Sequence, residues 1–138
     1  MNPKELRLGN FVSVLNKGGG QSITEVYSIL DEGIQCYNYN IEDNTQLYYC
    51  EMFPLDELTP IPITQELLLQ FGFEETYKTD IRSKLDHPCN YIGCDINRKT
   101  DNKWQLRYYG NYIICDYVHN LQNLFFFLSG NELKYSDI

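Results

Sequence analysis

The stretch Val118-His119-Asn120-Leu121-Gln122-Asn123-Leu124-Phe125-Phe126-Phe127-Leu128-Ser129-Gly130 constrains the fold of this chain more than any other. At about 100° per residue, Val118, Leu121, Leu124, Phe125 and Leu128 fall within one arc, which predicts a helix with that arc buried. Gly130 is a natural helix stop, and the residues from Asn131 to Tyr135 read as a short closing strand. Asp116 is the expected N-cap, which puts His119 in the first turn. Phe126 falls off the arc beside His119 and Gln122, and Phe127 falls off it on the other side. One buried face does not account for both. The helix is expected to be flanked within the chain, with a subunit contact as the second reading.

The rest of the chain is written in short β-type runs. Phe11-Val12-Ser13-Val14-Leu15, Ser22 to Leu30, Ile34 to Tyr39 and Gln46 to Met52 are strand candidates. Turn chemistry separates them at Gly18-Gly19-Gly20, Asp31-Glu32-Gly33 and Glu42-Asp43-Asn44. Asn2-Pro3-Lys4-Glu5 and Pro54-Leu55-Asp56-Glu57-Leu58 each predict one helical turn. Two prolines restrict Thr59-Pro60-Ile61-Pro62-Ile63 to an edge or a linker. Four strands, a one-turn helix and a short fifth strand suggest a small SH3-like antiparallel β-barrel over residues 1–62.

A second module is expected over residues 64–138. Thr64 reads as the N-cap of a short helix, with Ile63 and Leu68 at the spacing of a hydrophobic staple and Gly72 as its stop. Thr76 to Ser83 reads as a weak strand, and Tyr91 to Asn97 as a better one. Trp104 to Tyr109 and Tyr112 to Tyr117 flank Gly110-Asn111, a two-residue hairpin loop. That loop would set Tyr109 opposite Tyr112, Leu106 opposite Cys115 and Trp104 opposite Tyr117. Alternation then places Trp104, Leu106, Tyr108, Ile113, Cys115 and Tyr117 on the core face. Gln105, Arg107, Tyr109, Tyr112, Ile114 and Asp116 take the other. The fold class is α+β.

Charge and cysteine content narrow the function classes. The 138 residues carry a net charge of −8. Residues 1–63 hold three Lys/Arg against nine Asp/Glu, and residues 64–138 hold eight against ten. Nucleic-acid affinity comes mainly from Lys and Arg, so general nucleic-acid binding is disfavoured. No stretch approaches the roughly 20 apolar residues of a membrane span, and no basic-then-apolar leader opens the chain. A cytoplasmic protein is expected. The cysteines are Cys36, Cys50, Cys89, Cys94 and Cys115, an odd set best read as reduced thiols.

Three blocks carry a resemblance. They are Glu5-Leu6-Arg7-Leu8-Gly9-Asn10-Phe11-Val12, then Pro60-Ile61-Pro62-Ile63-Thr64 with Leu67-Leu68 and Phe71-Gly72-Phe73, then Val118 to Gly130 with Glu132-Leu133. Together they resemble a family of small uncharacterised proteins of gut anaerobic bacteria, their phages and mobile elements. There the blocks read approximately ELRIGN, IPLT with a GF following, and VHQLQNLYFALTGEEL. This chain departs at Asn120, usually Gln, and at Phe127, usually a small residue. The resemblance implies a mobile-element setting and supplies no activity or catalytic residue.

Candidate chemistry is thin. His87-Pro88-Cys89, Cys94 and Cys115 are the nearest approach to a zinc set, but Cys89 and Cys94 would point to opposite faces of one strand. Cys115, Asp116 and His119 suggest a thiol nucleophile, yet Cys115 belongs to the core face and Asp116 to the opposite one. Gly18-Gly19-Gly20 lacks both the P-loop ending and a following helix. No catalytic, cofactor or metal residue is assigned. The expected role is a non-enzymatic interaction protein with a protein partner or a second copy of itself. Its candidate surface is His119, Gln122, Phe126, Tyr109 and Tyr112. A nucleic-acid-associated or nucleic-acid-mimicking accessory protein is the alternative, and an enzyme ranks last.

Overall fold

The computed structural model describes residues 2–15, 20–40, 45–88 and 91–135, with residues 38–40 and 45–50 described by backbone alone. The expectations for Gly18-Gly19, Glu42-Asp43-Asn44 and Cys89 lie outside the described residues, as does that for the side chain of Cys50. The chain divides into two compact units, Met1–Ile61 and Pro62–Ile138. Each carries one five-stranded antiparallel sheet, so the molecule is α+β.

In the first unit, Asn2 Oδ1 accepts a hydrogen bond from the Lys4 backbone N–H at 3.0 Å, and Pro3 sits where its missing N–H costs nothing. The single helical turn Pro3–Glu5 results. The strands are β1 (Phe11–Leu15), β2 (Gln21–Leu30), β3 (Gly33–Asn40), β4 (Thr45–Phe53) and β5 (Leu58–Thr59). A second helical turn, Leu55–Glu57, precedes β5. The sheet order is β4-β3-β2-β1-β5. It is an open sheet with β4 and β5 at its edges, not the closed barrel expected. The physical reason is the length of β5: its two residues pair only with Ser13 and Val14 of β1. Register shifts at Val26/Ser28 and Tyr37/Tyr39 bend the longer strands. Val12, Val14, Val26, Ile34, Cys36 and Leu58 form the buried cluster, with Leu6.

The Leu8-Gly9-Asn10 segment anchors β1. Gly9, at φ +88°, donates its N–H to the Val26 carbonyl at 2.9 Å, and Val26 returns a bond to the Asn10 carbonyl at 2.8 Å. Asn10 Oδ1 accepts from the Arg7 N–H at 2.7 Å.

In the second unit, Thr64 Oγ1 accepts from the Leu67 N–H at 3.2 Å and caps α1 (Gln65–Gln70). Gly72, at φ +88°, turns the chain out of the helix as its sequence position predicts. The strands are β6 (Glu74–Lys78), β7 (Arg82–Asp86), β8 (Ile92–Asn97), β9 (Trp104–Tyr108) and β10 (Asn111–Ile114), in the meander order β10-β9-β8-β7-β6. The helix α2 (Val118–Ser129) follows.

Six expectations need correction here. The strand expected over Thr76 to Ser83 is two strands, because Thr79 exchanges bonds with Arg82 and closes a turn between them. The hairpin loop is Tyr109-Gly110, one residue earlier than expected, so Tyr108 pairs with Asn111 and Leu106 with Ile113. Both loop residues have positive φ, +48° and +79°, the signature of a type I′ turn. The partners slip by two residues, and a period of two leaves every side chain on its expected face. Within the core-face set, however, Ile113 and Tyr117 are exposed. The N-cap of α2 is Tyr117, without a side-chain bond, rather than Asp116. The backbone there is committed elsewhere: the Asp116 carbonyl accepts from Ile63 N–H, and Tyr117 bridges to Pro62. Residues 131–135 carry no strand pairing in place of the expected closing strand. Last, the buried arc of α2 is Val118, His119, Leu121, Gln122 and Phe125, turned from the expected arc, with Leu124 and Leu128 only half-buried.

Candidate functional site

Alternation gives the second sheet two unlike faces. Ser83, Leu85, Ile92, Cys94, Ile96, Trp104 and Leu106 are buried on one of them. His87 continues that side of β7, and its ring meets Phe125 of α2 at 4.8 Å and Phe73 at 5.2 Å, so α2 lies there. The outer face carries Arg82, Lys84, Asp86, Gly93, Asp95, Gln105, Arg107 and Tyr112.

Arg107 is the centre of this outer face. Its Nε and Nη2 donate to the two Asp95 carboxylate oxygens at 3.1 and 3.3 Å, and Nη2 also donates to Asp86 Oδ1. Burial pulls the Arg107 pKa down, but hydrogen bonds and charge from Asp95 and Asp86 outweigh it and raise the pKa above its ordinary value. Gly93 lies beneath. A Cβ there would overlap the Arg107 guanidinium and the Asp86 carboxylate, so glycine is what lets the ion pair lie flat across β8.

Two open clefts border the ion pair. One, of about 250 Å³, runs over Lys84, Asp95, Asn97, Gln105 and Tyr112. The other, of about 490 Å³, is lined by Asp86, His87, Pro88, Tyr91, Arg107 and Tyr109. Tyr91 and Tyr109 are 78% and 67% exposed, and their ring centroids stand 5.8 Å apart at 34°. The edge of Tyr108 meets Tyr109 at 4.5 Å. Tyr91 and Tyr109 both have left-handed backbone, φ +49° and +48°. For a bulky residue that is a strained conformation.

Of the five residues proposed from the sequence, Tyr109 and Tyr112 stand exposed on the outer side of the hairpin. Phe126 is partly exposed on α2, and its neighbour Phe127 is 84% exposed. His119 and Gln122 are only 1% and 2% exposed, so neither offers a side chain to solvent. The His119 ring stacks on Tyr117, 5.9 Å away and 8° from parallel. The sequence reading therefore divides into two places and does not form one site. It missed Tyr91 and the Arg107–Asp86–Asp95 cluster. Tyr91 was assigned to a strand, whereas β8 begins only at Ile92. The ion-pair cluster joins three strands, and no local spacing announces it.

Of the thiols proposed for metal or nucleophile chemistry, Cys94 and Cys115 are buried. Burial raises the Cys94 pKa well above its ordinary value, and the nearby Cys115 and Asp95 charges add to this. Burial, with a contribution from Asp116, pushes Cys115 up to about 12. Both are protonated at neutral pH, whereas the thiolate is the nucleophile and the metal ligand. Among the described residues no group of three or more His, Cys, Asp or Glu converges on a metal position. No helix among them is long and apolar enough to cross a membrane.

Comparison with protein-family models, curated proteins and solved structures found no match.

Proposed function

We propose that this chain is a non-enzymatic interaction protein that engages a protein partner on the outer face of its second sheet. The observation that carries this reading is the exposed set Tyr91, Tyr109 and Tyr112 beside the ion-paired surface of Arg107, Asp86 and Asp95. Tyrosine combines a large apolar ring with a hydroxyl and two side-chain torsions, which makes it effective at interfaces. The resemblance to proteins of gut anaerobic bacteria, their phages and mobile elements favours a mobile-element setting for this reading. In the first unit, the strand order β4-β3-β2-β1-β5 with a helical turn before β5 supports an SH3-like arrangement.

The test is affinity capture from a native lysate with the wild-type chain and with a Tyr91→Ser/Tyr109→Ser/Tyr112→Ser chain. A partner held by the first and lost by the second is the expected result. A wild-type chain that remains monomeric and captures nothing counts against the reading.

Nucleic-acid association is the second reading, favoured by the exposed Arg98, Lys99 and Lys103 on the β8–β9 turn. It requires salt-sensitive retention on DNA or RNA. With a net charge of −8, no retention at low salt is the expected outcome, and nucleic-acid mimicry by the acidic first unit would then be the form left to test.

A further inference from the structure

Tyr91 and Tyr109 are brought together by the ladder between β8 and β9. Ile92 pairs with Tyr108, so Tyr91 and Tyr109 take the next opposed positions, just past the last paired residues of those strands. Opposed residues on neighbouring strands have side chains within reach of each other. The backbone at both positions is held. The His87 N–H donates to the Ile92 carbonyl at 2.8 Å and ties the β7–β8 connection beside Tyr91. Tyr109 is a central residue of the type I′ turn. The rings are open to solvent, more so than any other tyrosine whose side chain is described.

Ring geometry separates this pair from Tyr27–Tyr37 and Tyr108–Tyr109. Those two meet edge to face, at 69° and 78°, which sets the rim of one ring against the π face of the other. Tyr91 and Tyr109 stand 5.8 Å apart and only 34° from parallel. A small rotation of two exposed side chains brings rim against rim. Two phenols in that arrangement can do what one cannot, which is to couple oxidatively.

We propose that Tyr91 and Tyr109 form a modification site at which hydrogen peroxide, acting through a peroxidase, joins the two rings as dityrosine. Each phenol gives up one electron and its hydroxyl proton and becomes a phenoxyl radical. The two radicals form one carbon–carbon bond between a Cε of each ring. Each of those carbons then releases its hydrogen as a proton, and each oxygen regains one, which restores both aromatic rings and both hydroxyls. Two electrons and two protons leave the protein in all, and they convert one hydrogen peroxide into two waters. Opposed positions on one ladder make the coupling unimolecular, which favours it over coupling between chains. The new bond ties the β7–β8 connection to the β9–β10 turn beside the cleft that both rings line. The proposal goes beyond the protein-interaction reading and does not depend on it.

The test treats the full chain, at low micromolar concentration, with hydrogen peroxide and a haem peroxidase. The expected product is a monomer lighter by two hydrogens, with dityrosine fluorescence and a cross-linked peptide that maps to Tyr91 and Tyr109. Its yield per chain is expected to hold on dilution by about 10-fold, as a unimolecular step requires. Tyr91→Phe and Tyr109→Phe keep the ring and lack the hydroxyl whose proton must leave. Each is expected to lower the monomeric product at least about 10-fold. Tyr27→Phe and Tyr112→Phe are expected to leave it unchanged. A cross-link that maps to another pair overturns the proposal, as does a yield that survives Tyr91→Phe. Fluorescence carried only by dimers, with a share that falls on dilution, overturns it too. So does a chain that gives no dityrosine while free tyrosine in the same solution is coupled.

Discussion

Cys115 illustrates how burial decides chemistry at the scale of one residue. Its thiol is 1% exposed, and burial holds its pKa at about 12 against an ordinary value of 9.0. A folded-state pKa raised above the unfolded value gives stability that is complete below pH 9.0 and is lost as pH rises toward 12. The unfolded chain ionises in that window and the folded chain does not. Thermal melts from pH 8 to 11 are therefore expected to show a shallower alkaline decline in Cys115→Ala than in the wild type. Equal slopes would contradict the assignment. His87 works in the opposite direction. Its pKa is lowered by burial, so its contribution is complete above about 6.5 and is lost as pH falls below that value toward the folded pKa. His87→Gln is expected to flatten the acid side of the same profile.

The helices and hairpins follow their end residues closely. Thr64 and Gly72 mark α1 in the sequence, and the cap bond of 3.2 Å and the left-handed φ of +88° are where those residues predict them. Thr64→Ala is expected to cost about 1 kcal/mol in denaturant unfolding, the usual worth of an N-cap oxygen. Gly130 holds φ +75° at the end of α2, and Gly130→Ala is expected to cost about 1–2 kcal/mol because an added Cβ is strained there. The β9–β10 hairpin was less legible. Glycine is accepted at either central position of a type I′ turn, so Gly110 alone did not specify whether Tyr109 or Asn111 would join it. Asn111 is the better left-handed residue by intrinsic preference, yet Tyr109 takes the position. The buried arc of α2 was misread for a related reason. Hydropathy places Leu124 and Leu128 ahead of His119 and Gln122, whereas the folded chain buries the two polar side chains.

For the whole molecule, the three recognisable sequence blocks have structural work to do. Leu6 is core, Gly9 and Asn10 tie β1 to Val26, Phe73 meets Phe125, and Val118, His119 and Leu121 are buried. These residues serve the fold of their own units. The division at Ile61/Pro62 separates two sheets whose strands, among the described residues, pair within their own unit. Residues 62–138 expressed alone are expected to retain a cooperative thermal transition by circular dichroism. A fragment that melts without a cooperative transition would contradict that.

The sequence by itself determined part of the local alphabet of this protein: the strands β1 to β4, β8 and β9, the caps at Asn2 and Thr64, and the glycine stops at Gly72 and Gly130. These depend on periodicity and on backbone preferences, which act over a few residues. Only the tertiary structure decided that the first sheet stays open, that His119 and Gln122 are interior, and that Asp86, Asp95 and Arg107 meet over Gly93. The last three depend on contacts between residues distant in sequence, and the candidate cleft is built from those contacts.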